Sequence, residues 1–210
     1  MLTKNQIKIM ELFTSQITEL FTMRSIERLL KMQFSLVQYA IKPLKERKLI
    51  TLNKQNLLSL NYQENHDVLS YVEYTRRNKF LSKPKNKALT MFIKDFVKSF
   101  KEQSFVLLIF GSTVTSNNPN DIDILLIVDD IKKTDPSEKF LYNTSRNYSI
   151  NKELHITTIS YESVYEMLTK REKMNVINEV LNKHLIIYGA ETFYRLLTRG
   201  REWKHLMKKN

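Results

Sequence analysis

A mixed α/β (α+β) protein with two unlike halves is the fold class this sequence predicts, and three observations carry it. Residues 1–62 hold three stretches with apolar residues at helical spacing, then two short apolar runs around a polar turn. Further on, six apolar residues in succession, Phe105–Phe110, end on Gly111-Ser112, the pattern of a buried strand closing on a tight turn. A second apolar run, Asp121–Val128, is interrupted only by aspartates, and amphipathic segments of helix length flank both runs.

Taken in order, Thr3 is the expected N-cap of a first helix, with Ile7, Ile9, Met10 and Phe13 as its apolar positions. Thr22 can cap a short second helix over Arg24–Lys31, with Ile26, Leu29 and Leu30 inward. Ser35 is expected to open a third helix that runs to about Arg47, with Val37, Ala40, Ile41 and Leu44 on one face. Pro43 inside it lacks an N–H and is expected to kink it. Leu49–Leu52 and Leu57–Leu60 then read as a hairpin around Asn53–Asn56.

Residues 63–84 form a basic helical connector, broken at Pro84, whose aromatics are read as core. A helix with Leu89, Phe92, Ile93, Phe96, Val97 and Phe100 at helical spacing follows and should pack on the sheet that starts at Phe105. Past Val128 the spacing predicts a polar loop over Asp129–Pro136, a helix over Ser137–Asn147, and a strand over Leu154–Ser160. Glu153, His155 and Thr157 share one face of that strand. Val164–Lys183 reads as one long amphipathic helix and Leu185–Tyr188 as a last strand ending at Gly189. A C-terminal helix starts at Glu191–Leu197 and ends in Arg199, Arg201, Lys204, Lys208 and Lys209, most simply a solvated face.

The chemistry concentrates at the second apolar run. Residues i and i+2 of a strand point the same way, so Asp121 and Asp123 present two carboxylates side by side. Like charges so placed repel, and a divalent cation, Mg²⁺ or Mn²⁺, resolves the repulsion with hard oxygen ligands. The turn at Gly111 and Ser112 would bring backbone N–H groups and a hydroxyl to the phosphates of a ligand held by that cation.

Composition sets the wider bounds. At 210 residues, with 42% hydrophobic and 27% charged residues, the chain can bury a sizeable core. It has no cysteine, which excludes disulfides and thiolate metal sites. No window approaches a transmembrane span and no signal-peptide pattern opens the chain, so the expectation is a cytoplasmic protein. Net charge is +12, unevenly spread: residues 1–62 carry ten Lys/Arg against four Asp/Glu, whereas residues 104–160 carry five against seven. A basic N-terminal half points to a polyanionic partner, most simply nucleic acid.

Two resemblances sharpen this reading. Gly111-Ser112, a short polar insert and Asp121-Ile122-Asp123 resemble the signature of the DNA polymerase β-like nucleotidyltransferases, in particular the minimal nucleotidyltransferases of prokaryotes. The resemblance implies a mixed sheet flanked by helices over residues 85–210. It also implies that Gly111 and Ser112 hold a nucleoside triphosphate, most simply ATP, and that Asp121 and Asp123 are metal ligands and catalytic. The family's third carboxylate aligns with His155, with Glu153 two residues earlier on the same face. The chain departs from the pattern at Ser116 and Asn120, where the family usually has Gly and Ser.

Residues 1–62 resemble the winged helix-turn-helix of bacterial and archaeal regulators, and residues 74–81 the connector of archaeal proteins that join the two domains. That resemblance implies binding to double-stranded DNA, with Ser35, Gln38, Tyr39, Lys42, Lys45 and Lys54 as contact candidates. The resulting expectation is transfer of a nucleoside monophosphate to a protein or nucleic-acid acceptor. Two alternatives stay open: a transcriptional regulator that binds nucleotide without catalysis, and the antitoxin of a toxin–antitoxin pair. A homodimer is compatible with all three.

Overall fold

The computed structural model describes residues 1–116, 118–170 and 175–207, with 201–207 as backbone alone. The N-terminal module consists of α1 (Lys4–Ser15), α2 (Met23–Leu30), α3 (Phe34–Glu46) and an antiparallel hairpin of β1 (Ile50–Leu52) and β2 (Leu58–Leu60). Thr3 and Gln6 form a reciprocal capping box at the start of α1, and Thr22 Oγ1 accepts from Ser25 N at 3.0 Å to start α2. α3 begins one residue before Ser35, at Phe34, and continues through Pro43 to Glu46. Leu29, expected inward, is 53% exposed. Phe21 adds an isolated bridge to Leu58, giving the hairpin a third partner.

α4 (His66–Leu81) and α5 (Lys87–Ser99) follow, and then the main sheet with its flanking helices. Its strands are β3 (Phe105–Phe110), β4 (Asp121–Val128), β5 (Glu153–Ser160) and β6 (His184–Tyr188), in the order β5-β4-β3-β6. β3 pairs antiparallel with β4 and β6, whereas β4 and β5 are parallel, so the sheet is mixed. The parallel pair requires a crossover, supplied by α7 (Thr134–Ser145). α6 (Ser112–Thr115) is a single turn between β3 and β4. α8 (Tyr161–Thr169), α9 (Val176–Val180) and α10 (Ala190–Met207) complete the chain.

Two further expectations are corrected. The loop expected over Asp129–Pro136 ends early, because α7 starts at Thr134 and takes Pro136 into its first turn, where the missing N–H has no helical partner to lose. The single helix expected over Val164–Lys183 is two. α8 ends at Thr169, and Asn175, a residue type that favours N-caps, accepts from Asn178 N at 2.9 Å to start α9. Residues 171–174 and the basic residues Lys208 and Lys209 lie outside the described residues.

β3 and the C-terminal part of β4 are apolar on both faces, as strands buried between layers must be. One face packs Leu107, Ile109, Ile124 and Leu126 against Phe92 and Phe96 of α5 and Leu141 of α7. The other packs Val106, Leu108, Leu125 and Ile127 against Phe193 and Leu197 of α10 and Val164 of α8. That second cluster runs without a break into Ile9, Phe13, Val37 and Leu44 of the N-terminal module. Hydrogen bonds to main-chain carbonyls support the same joint: Ile17 N donates to Leu181 O and, from α4, the Arg77 side-chain Nη1 donates to Ile187 O, each at 2.9 Å.

Polar groups are buried within this joint as well. Glu73 of α4 is 1% exposed and accepts from Arg76 Nη1 at 2.7 and 2.8 Å and from Tyr194 Oη at 2.9 Å. His184 Nε2 stands 3.7 Å from the same carboxylate, while its Nδ1 lies 2.6 Å from Val180 O. Among the described residues, no helix is long and apolar enough to cross a membrane.

Candidate metal-binding site

The parallel register of β4 and β5 assembles the site. Asp121 lies opposite Glu153 and Asp123 opposite His155, so four odd-numbered side chains share the sheet face that also carries α8 and α10. His155 Nδ1 is 3.6 Å from Asp121 Oδ2 and 3.4 Å from Asp123 Oδ1. One donor atom from each of the three lies within 4.8 Å of the others, a spacing that could hold a metal ion. Glu153 is not brought to the pair. Its Oε1 is 3.5 Å from His155 Nε2, on the far side of the imidazole, and its side chain is 79% exposed.

The turn after β3 closes the site from the other side. Ser112 Oγ donates to Asp121 Oδ1 at 3.1 Å, and Thr113 Oγ1 donates to the Asp121 carbonyl at 2.9 Å. Gly111 has φ 68° and ψ −141°, a conformation open essentially to glycine alone. A Cβ at this position would stand 2.6 Å from Asp123 Oδ2. Gly111→Ala is therefore expected to cost about 1–3 kcal/mol of stability and to displace Asp123. Denaturant unfolding checks this, and a variant as stable as the parent would show that the turn is not under this constraint.

Burial and the neighbouring Asp121 charge, in that order, hold the Asp123 carboxyl above its usual range, only partly offset by His155. A carboxylate held up in this way gains from a nearby cation. The donors are two carboxylates and an imidazole beside a hydroxyl. The oxygens suit Mg²⁺ and Mn²⁺, while the nitrogen shifts preference away from Mg²⁺.

One acidic residue near the site was not read from the sequence. Glu179 on α9 places Oε1 3.5 Å from the point where a Gly111 Cβ would lie, next to Asp123. Its distance in sequence from β4 left no local signal; only the packing of α9 brings it there.

The nucleic-acid candidates form a separate surface. Ser35, Gln38, Tyr39, Lys42 and Lys45 are all exposed, along the side of α3 away from the buried Val37, Ala40, Ile41 and Leu44. Tyr39 is 81% exposed, and Lys54 is exposed in the hairpin turn. Comparisons with protein-family models, with curated proteins and with solved structures find no match for this chain.

Proposed function

We propose that this chain is a nucleotidyltransferase that works while docked on double-stranded DNA. The observation that carries the reading is the meeting of Ser112, Asp121, Asp123 and His155 beside the Gly111 turn. In the proposed reaction an acceptor hydroxyl attacks the α-phosphorus of a nucleoside triphosphate. The bond from that phosphorus to the bridging oxygen breaks, pyrophosphate leaves, and the hydroxyl proton passes to a protein base.

A bound Mg²⁺ or Mn²⁺ would supply charge neutralisation at the phosphates. Asp121 and Asp123 would hold it, with Ser112 fixing Asp121 through its hydroxyl. His155, opposite Asp123, and Glu179, beside Gly111, are the two groups placed to take the proton. Glu153, behind the imidazole, would orient His155. The test is incubation with each labelled triphosphate, Mg²⁺ or Mn²⁺, and cell extract. Label on a macromolecule supports transfer and identifies the acceptor as nucleic acid or protein, the latter being the outcome expected of an antitoxin.

A second reading has its own observation: the β5 position opposite Asp123 carries an imidazole rather than a third carboxylate. A site of that kind fits a regulator that binds nucleotide without transferring it. Triphosphate binding with no label transferred would select this reading.

DNA docking rests on the exposed α3 face and the basic hairpin turn. Each phosphate neutralised should contribute about −0.9 to the slope of log K against log salt. Replacing Lys42 and Lys45 with Gln is expected to flatten the slope by about 1.8 and weaken all sequences alike. Gln38→Ala or Tyr39→Ala should instead erode preference for one site over another, because only groove-facing side chains read base edges. A salt titration of the full chain measures both, and an unchanged slope in the lysine variant would remove α3 from the interface.

A further inference from the structure

A cavity of about 300 Å³ lies on the opposite side of the sheet from the aspartates. Ile122, whose side chain alternates away from those of Asp121 and Asp123, forms part of its floor, and none of Gly111, Ser112, Asp121, Asp123 or His155 lines it. The walls come from the junction of α4 and α5, from α6, and from the loop before β5. Although the cavity is near the candidate metal site, it is a different compartment.

Its chemistry is one-sided. Lys83, Lys85 and Lys152 contribute to the lining, and among the described residues none that lines it is acidic. Lys83 Nζ stands 5.9 Å from the centroid of the Phe80 ring, which also lines the cavity. Lys152 Nζ donates to Pro119 O, which fixes the ammonium at the cavity wall with further N–H donors to offer. The remainder is an apolar floor with hydroxyls and amides around it. A small inorganic anion would use the lysines and leave the aromatic and apolar surface without a partner. A neutral planar molecule would leave the positive charge of Lys83 and Lys152 unmatched.

We propose that this cavity binds a mononucleotide-sized organic phosphate. The phosphate would meet the lysines, and the flat aromatic body would lie along Phe80 and the apolar floor. The volume is at the lower end of the range for small-molecule sites, which suits one nucleotide and excludes a folded polymer. Binding here needs no metal and does not depend on the transferase reading.

The experiment is equilibrium binding of a fluorescent AMP analogue to the full chain, in EDTA and at about 0.15 M salt, where loose surface attraction is screened. Saturable binding is expected, displaced by AMP and at least about tenfold less well by adenosine or by inorganic phosphate. Lys83→Ala with Lys152→Ala should weaken it at least about tenfold, since hydrogen bonds to charged groups are among the stronger ones. Ala88→Phe, which fills the cavity from α5 without touching a lysine, should also abolish it, with the melting temperature showing that the fold is retained. Asp121→Asn with Asp123→Asn should leave it unchanged. The proposal is overturned if binding does not saturate, if phosphate competes as well as AMP, if Ala88→Phe stays folded and still binds, or if the aspartate variant is the one that loses it.

Discussion

Replacing Glu73 with alanine is expected to lower the unfolding free energy by about 3–5 kcal/mol, the cost of leaving a buried charge without its partner. The Arg76 side chain is 9% exposed, and among the described residues its guanidinium would keep only the His184 carbonyl, at 2.5 Å. Burial by itself would raise the Glu73 carboxyl, but Arg76, then His184 and Tyr194, outweigh it and hold it below its usual range. Burial and the Glu73 charge push Tyr194 well up, so its hydroxyl remains a donor.

A carboxyl depressed in the native state contributes its stabilisation in full above the ordinary carboxylate range. That contribution is lost as pH falls through the depressed native value. The Glu73→Ala variant should therefore lack this part of the parent's acid dependence. Replacing Glu73 and Arg76 together with methionine should recover much of the loss, because a buried pair exchanged for apolar side chains is often nearly neutral. Urea unfolding of Glu73→Met, Arg76→Met and the pair measures the coupling. A single-variant loss below about 1 kcal/mol would mean that the guanidinium finds water or another partner.

The same network shows what the sequence could and could not reveal. β3 and β4 were legible to the residue, because a continuous apolar run bounded by turn residues has few other readings. The caps at Thr3 and Thr22 were legible for the same local reason, a hydroxyl placed just ahead of an apolar period. Even the facing of Asp121 and Asp123 followed from the period of two. The end of α8 at Thr169 was missed because no Gly or Pro stands anywhere in 164–183 to mark it, while the cap that opens α9 is a single Asn. Glu73, His184 and Tyr194 gave no signal at all. Each is one polar residue in an amphipathic or apolar segment, and only the docking of α4 on β6 and α10 turns them into a buried cluster. Glu179 was hidden in the same way. Local chemistry is written in spacing, but sites shared by distant segments are written in packing.

Asp121→Asn combined with Asp123→Asn should have two opposite effects. In the absence of ligand the variant should be at least as stable as the parent. The Asp123 carboxyl is held up by burial and by the Asp121 charge, so its ionised form costs native stability as pH rises past the ordinary carboxylate range. Asparagine keeps the shape and removes that cost. With a nucleoside triphosphate and Mn²⁺ or Mg²⁺ present, the order should reverse. A ligand at a hundredfold excess over its Kd stabilises the native state by about 2.7 kcal/mol, and that gain should vanish in the variant together with any transfer of label. A group that weakens the empty protein and is indispensable to the loaded one is what a cation site built from like charges requires. Thermal unfolding with and without ligand decides the matter in one experiment. If the variant keeps the ligand-dependent shift, the two aspartates do not hold the cation; if it is less stable without ligand, their repulsion is not the cost described here.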